Sequence, residues 1–124
     1  MSNMFQDVKE FQTAVGQNVG TKPQFPSASE RILRMKLLKE EFDEYNEGET
    51  NNDLENIAKE LADIIYIVCG TAVSYGIPLD RVFDEVHRSN MAKLVDGKPV
   101  RRDDGKILKP EGWTPPDIKK ILYP

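Results

Sequence analysis

Apolar residues recur at helical spacing in four stretches of the chain. In residues 4–15, Met4 and Phe5 are followed by Val8, Phe11 and Val15 at steps of three and four, the period of one helical face. Gly16, Gly20, Pro23 and Pro26 then mark a connection. Ser27, followed three residues later by Glu30, is a capping-box pattern. It predicts a second helix over 28–46 that stops at Gly48. The polar stretch 48–53 reads as a turn, with Asn52 and Glu55 as the next cap. A third helix is predicted over 53–75. Its stripe of Leu54, Ile57, Leu61, Ile64, Ile65, Val68 and Ala72 is broad enough for a central helix with several neighbours. Gly76 ends it, and Pro78 suits the first turn of a fourth helix carrying Leu79, Val82, Phe83 and Val86.

After about residue 94 the periodicity fades. Asp96-Gly97 and Asp104-Gly105 are turn dipeptides, and 98–109 reads as a short hairpin with poor alternation. Pro110, Gly112, Pro115 and Pro116 keep the tail irregular, with one last helical turn at 117–122. Helices joined by short turns imply an all-α antiparallel bundle. The expected architecture is one domain over residues 1–124, with four main helices and an irregular C-terminal tail. Helices this short bury little alone, so a homodimer or homotetramer is expected to complete the core.

The acidic residues interrupt this pattern in an informative way. With Glu41 at zero and ~100° per residue, Leu38 and Tyr45 fall near +60° and +40°, and Leu37 and Leu33 near −40° and −80°. Glu41 therefore lies inside the apolar arc, and Glu44 lies between Leu37 and Leu33. On the third helix, Glu60 and Asp63 fall at the edge of the apolar stripe, and residues three apart are neighbours on a helix. Antiparallel packing would bring the two doublets together. Two like charges ~6 Å apart at an effective dielectric of ~20 repel by ~3 kcal/mol. Buried carboxylates therefore need a partner, a proton or a metal. Hard oxygen donors suit Mg²⁺ or Mn²⁺ better than Zn²⁺. Against this stands the bland alternative of acidic helices solvated at a groove.

Charge and composition narrow the classes. Acidic residues outnumber basic ones by 21 to 17, a net charge of −4, which argues against general nucleic-acid binding. The single cysteine, Cys69, sits in an apolar run and reads as a buried hydrophobe. The longest apolar stretch, near 61–73, is broken by Asp63, Gly70 and Thr71, too short and polar for a membrane span. No signal-peptide pattern is visible, so a soluble cytoplasmic protein with no membrane partner is expected.

Glu40-Glu41-Phe42-Asp43-Glu44, followed by Glu60-Leu61-Ala62-Asp63, resembles the Glu-Glu-x-x-Glu … Glu-x-x-Asp signature of the all-α nucleoside triphosphate pyrophosphohydrolases, the MazG-like group. Ser89-Asn90-Met91-Ala92-Lys93 is similar to the Ser-Asn-Met-x-Lys stretch of that group. Asp104-Gly105-Lys106-Ile107-Leu108-Lys109 is similar to its Asp-Gly-Lys-x-x-Lys segment. The resemblance spans about residues 27–118. It implies water attack on the α-phosphorus of a (d)NTP, giving (d)NMP and pyrophosphate, with two or more Mg²⁺ or Mn²⁺ ions on Glu41, Glu44, Glu60 and Asp63. Glu40 or Glu41 would act as the base. The overall appearance of the chain points to (d)GTP as a candidate substrate.

Asn90 continues the fourth helix's apolar stripe, where a polar residue needs a partner. The resemblance implies a sugar or phosphate contact for it. Lys93, Lys106 and Lys109 would meet phosphate, and Arg34 would balance the acids or reach phosphate. His87 reads as a partly exposed helix residue, and Tyr66 and Trp113 as packing residues with stacking on a base as the alternative. Two alternatives stay open: a phosphoribosyl-ATP pyrophosphohydrolase, and a non-catalytic helical interaction module. A di-iron bundle would need two Glu-x-x-His motifs, and the chain has one histidine.

Overall fold

A computed structural model describes residues 3–124. They form two compact units, one ending at Leu79 and one beginning at Asp80. The fold is all-α apart from a two-stranded ribbon. No single helix among the described residues is long and apolar enough to cross a membrane.

The first unit holds α1 (Met4–Ala14), α2 (Ala28–Thr50) and α3 (Leu54–Tyr75). Each start is capped by a side chain that accepts an otherwise unpaired N–H: Asn3 from Gln6, Ser27 from Glu30, and Asp53 from Asn56. Two boundaries differ from the sequence expectation. Gly48 does not stop α2, which runs on to Thr50. A Cβ at Gly48 would lie 2.9 Å from Asn56 Nδ2 and 3.1 Å from Ile57 Cγ1, so this glycine lets α3 approach. The reversal comes later, with Asn52 in the left-handed region at φ 53°. Asp53, rather than Asn52, caps α3.

As its broad stripe implied, α3 is central and packs against both α1 and α2. Val8, Cys69, Ala72 and Val73 form its apolar centre, each burial stabilising by roughly 1–3 kcal/mol for the larger side chains. A polar knot lies beside them. Arg34 Nη2 donates to Gln12 Oε1 at 3.0 Å, and Gln12 Nε2 donates to the Asn18 carbonyl at 3.1 Å and to Ser74 Oγ at 3.4 Å. The knot ties all three helices, and Gly70 makes room for it, since a Cβ there would lie 2.4 Å from Gln12 Oε1. The connection from α1 to α2 is laced onto the end of α3 by Gly20 N–H to the Val73 carbonyl and Gln24 N–H to the Tyr75 carbonyl.

The second unit carries α4 (Leu79–Met91), β1 (Leu94–Val95), β2 (Lys98–Pro99) and α5 (Ile118–Leu122). Asp96 and Gly97, both at positive φ, form the two-residue turn that suits an antiparallel ribbon. This ribbon begins before the predicted hairpin, and within 98–109 the chain reverses again, with Leu108 N–H donating to the Val100 carbonyl and Arg102 N–H to the Lys106 carbonyl. A further bridge joins Arg101 to Ile107. The irregular tail is fastened to α4 by polar contacts. Trp113 Nε1 donates to the Ser89 carbonyl at 2.6 Å, and Glu85 Oε2 accepts the Asp117 N–H at 2.6 Å. Arg88 chelates the same carboxylate at 2.7 and 3.1 Å. The Arg88 guanidinium and the Asp117 N–H hold the Glu85 carboxyl at about 2.

Candidate metal centre

The antiparallel register of α2 and α3 decides which acids meet. Gly48 lies against Ile57 and Asn56, and Gly70 lies against Arg34. Numbers fall along α2 as they climb along α3. Glu41 and Glu44 are placed midway between those contacts, opposite Glu60 and Asp63. One carboxylate oxygen each from Glu41, Glu60 and Asp63 lie within 4.8 Å of one another. Glu44 touches Glu60 from the same helix as Glu41.

The burial order corrects the angular reading. Glu60, expected at the edge of a stripe, is the deepest of the four at 3% exposed. Glu41 and Asp63 are half-buried, and Glu44 is exposed. The reason is coverage. Helix α3 is flanked by two helices, whereas the arc of α2 beyond Glu41, including Leu33 and Leu38, stays open in this chain.

Electrostatics follow from this crowding. The Glu41 carboxyl is pushed up to about 7, first by sharing a proton with Glu60, then by burial and by the charges of Glu44, Glu60 and Asp63. Glu60 is held below its ordinary value chiefly because Glu41 donates to it. The shared proton therefore belongs on Glu41. Glu44 is raised by its contact with Glu60 and by the charge there. A cation also attends the group. Lys59 Nζ lies 2.8 Å from Asp63 Oδ2 and 3.3 Å from Glu60 Oε1, and these contacts raise its ammonium above the usual lysine range, Asp63 first.

The donor set fits a divalent ion. Glu41 Oε2 and Glu60 Oε2 are buried with no hydrogen-bond partner among the described residues. A desolvated carboxyl oxygen without a partner is costly, and more so on the ionised Glu60. An oxygen-seeking ion at the convergence of the carboxylates would satisfy both atoms.

The other predicted residues fall in distinct places. Glu40 is exposed on α2 and stands outside the group of converging oxygens. Arg34 is 9% exposed, and its side-chain hydrogen bonds go to Gln12 and Ser74 rather than to any of the four acids. Asn90 is exposed rather than inward, because Ser89 is the buried residue of that turn. The Asn90 Oδ1 accepts from Lys93 Nζ at 3.0 Å. Lys109 Nζ lies 4.9 Å, and Lys93 Nζ 5.8 Å, from the centre of the Trp113 ring, so Trp113 gathers two of the predicted lysines. Lys106 is exposed on the tail, its N–H bound to Asp104 Oδ1. Tyr66 packs edge-on against Phe11 at 5.8 Å, and His87 is exposed.

Sequence reasoning passed over Lys59 and Gln12, and named Trp113 without its partners. Lys59 and Asp63 are four apart, an ion-pair spacing on a helix, and that signal was available. Gln12 and Trp113 meet partners 22 and 24 residues away, for which no local pattern exists.

A protein-family model described as phosphoribosyl-ATP pyrophosphohydrolase matches residues 8–90. The match begins inside α1, earlier than the motif resemblance, and ends at Asn90, before the tail. No curated protein matches the chain.

Proposed function

The chain belongs to the phosphoribosyl-ATP pyrophosphohydrolase family, and from that premise we propose that it is a metal-dependent pyrophosphohydrolase of nucleoside triphosphates. The observation that carries the proposal is the convergence of Glu41, Glu60 and Asp63 around two buried carboxylate oxygens that lack partners.

Glu41, Glu60 and Asp63 hold Mg²⁺ or Mn²⁺, with Glu44 completing the set from the exposed side. Two or more such ions, when bound, neutralise charge developing on the phosphate oxygens. Water attacks the α-phosphorus, the bond to the β-phosphate's bridging oxygen breaks, and a monophosphate and pyrophosphate leave. Glu40 or Glu41 takes the proton from the attacking water. Glu40 reaches solvent freely, and Glu41 stands among the converging oxygens beside the reacting phosphate. Asn90, Lys93, Lys106 and Lys109 serve the sugar and phosphates, and the indole of Trp113 keeps Lys93 and Lys109 together. Arg34 acts instead through the knot that fixes α2 against α3. The catalytic unit is a homodimer or homotetramer, in keeping with the open apolar face of α2.

A second reading is favoured by the family description: the substrate is phosphoribosyl-ATP, cleaved at the same α–β linkage. Both readings are tested by one experiment. Purified protein is incubated with NTPs, dNTPs including dGTP, and phosphoribosyl-ATP, in the presence of Mg²⁺ or Mn²⁺, and the products are identified. Monophosphate plus pyrophosphate is expected, and the preferred substrate separates the two readings. Orthophosphate plus diphosphate would reject attack at the α-phosphorus. No turnover on any of them would favour a binding module. Glu41→Gln and Asp63→Asn are each expected to lower kcat by at least about 100-fold, the scale of losing a group that stabilises the transition state, while circular dichroism stays helical.

A further inference from the structure

We propose that Lys59 is a phosphate-binding residue of the carboxylate site, parked on the acids as a stand-in cation until metal enters. The inference rests on the metal reading above and extends it to a residue that neither the motif nor the family match assigns. Lys59 is the only cation that pairs with these acids among the described residues, through Asp63 Oδ2 at 2.8 Å and Glu60 Oε1 at 3.3 Å. Arg34, the other basic residue considered for that role, is engaged with Gln12 and Ser74.

The ammonium and a bound ion would share carboxylates: Lys59 pairs with Glu60 Oε1 and Asp63 Oδ2, while Glu60 Oε2 is an oxygen left without a partner. A Mg²⁺-sized ion sits about 2.1 Å from each carboxylate oxygen. An ammonium left in place would then lie beside a dication on the same carboxylates, and that repulsion favours its release. The direction of release is set by the surroundings. The acids lie beneath the ammonium, with Glu60 buried, and the Lys59 side chain is 68% exposed. The freed ammonium therefore stays at the open side of the metal, tethered by a four-carbon stem. A bound Mg²⁺ would keep exchangeable positions for substrate phosphate, and solvent reaches the site from that side. A lysine there meets phosphate as a mobile point charge. One residue thus lowers repulsion in the empty site and neutralises phosphate in the loaded one.

The bland alternative is a surface i,i+4 ion pair, worth little to anything. The two assignments are separated by opposite signs. Lys59→Met and Lys59→Arg are made in the full chain; methionine and arginine are both good helix formers, and circular dichroism checks the fold. Mn²⁺ affinity is measured by calorimetry without nucleotide. Inorganic pyrophosphate affinity is then measured on the Mn²⁺-loaded protein. For Lys59→Met, Mn²⁺ is expected to bind roughly threefold to fivefold tighter, because a weak competing cation is gone. Pyrophosphate is expected to bind about tenfold weaker, the loss of one charge-assisted contact. Lys59→Arg is expected to keep pyrophosphate affinity near wild type. If either constant for Lys59→Met stays within about twofold of wild type, or if both move the same way, the role is wrong, since an exposed ion pair alone predicts that result. Wild-type protein that binds no Mn²⁺ would overturn the metal reading itself and this inference with it.

Discussion

At the scale of single residues, the carboxylate site is a charge conflict that the fold does not relieve by itself. Four acids meet one ammonium, and Glu41 answers by keeping a proton up to a pH of about 7. The linkage has a definite sign. Above the ordinary glutamate value and below 7, the folded state holds a proton that the unfolded chain has released. Stability contributed by Glu41 is therefore lost as pH rises through that window. Glu60 is shifted the other way, so its contribution is present above the ordinary value and lost on acidification. In metal-free protein the melting temperature is thus expected to fall from ~pH 5 to ~pH 8. Mg²⁺ or Mn²⁺ should abolish that fall, because the ion binds the folded, deprotonated acids. Thermal scans in EDTA and in excess Mg²⁺ across this range check it. A melting temperature independent of pH in EDTA, or unmoved by metal at pH 8, would contradict the account.

At the scale of elements, the site depends on how closely α2 and α3 approach, and two glycines allow it. Gly48 and Gly70 sit at either side of the acids along the helix pair, and a side chain at either would push on its partner. Gly70 is the more demanding, because its neighbours are the Gln12 amide and the Arg34 guanidinium. Burial already lowers the affinity of that guanidinium for its proton, with Glu30 partly compensating. Gly70→Ala is expected to cost about 1–3 kcal/mol by leaving buried polar groups without partners. The change should appear in urea denaturation as a lower midpoint. A midpoint equal to wild type would show that the knot yields without loss. These glycines also mark where the sequence misled. A glycine near a helix end ordinarily signals termination, and nothing local separates that use from close packing. The caps at Ser27 and Gly76, by contrast, were legible, because each depends on residues within a few positions of itself. The depth of Glu60 was not. Helical angles describe one helix's own stripe, whereas burial depends on which neighbours cover it.

At the scale of the whole molecule, the helix content and the pairing of acid doublets could be read from periodicity, but the coverage of α2 could not. Ile32, Leu33, Met35, Leu38 and Phe42 belong to one helix and all remain exposed in the single chain. Scattered apolar residues on a surface need no explanation, but Met35, Leu38 and Phe42 share one side of α2 at ~100° per residue, and a contiguous apolar strip marks an interaction surface. Glu41 and Glu44 lie among these residues, so a partner seated there would also dry the metal site and strengthen its electrostatics. The expected partner is a second copy of the chain, because a domain this small gains most from burying its own apolar face. Sedimentation should then give a mass that is a multiple of the 14.1 kDa chain. Phe42 is 53% exposed, so Phe42→Glu places a charge in the proposed interface without disturbing the buried centre of the monomer. That variant is expected to sediment as a monomer and to bind metal more weakly than wild type. A wild-type protein that sediments as a monomer at working concentration would remove the oligomer from the proposal and leave the carboxylate site to be completed by this chain alone.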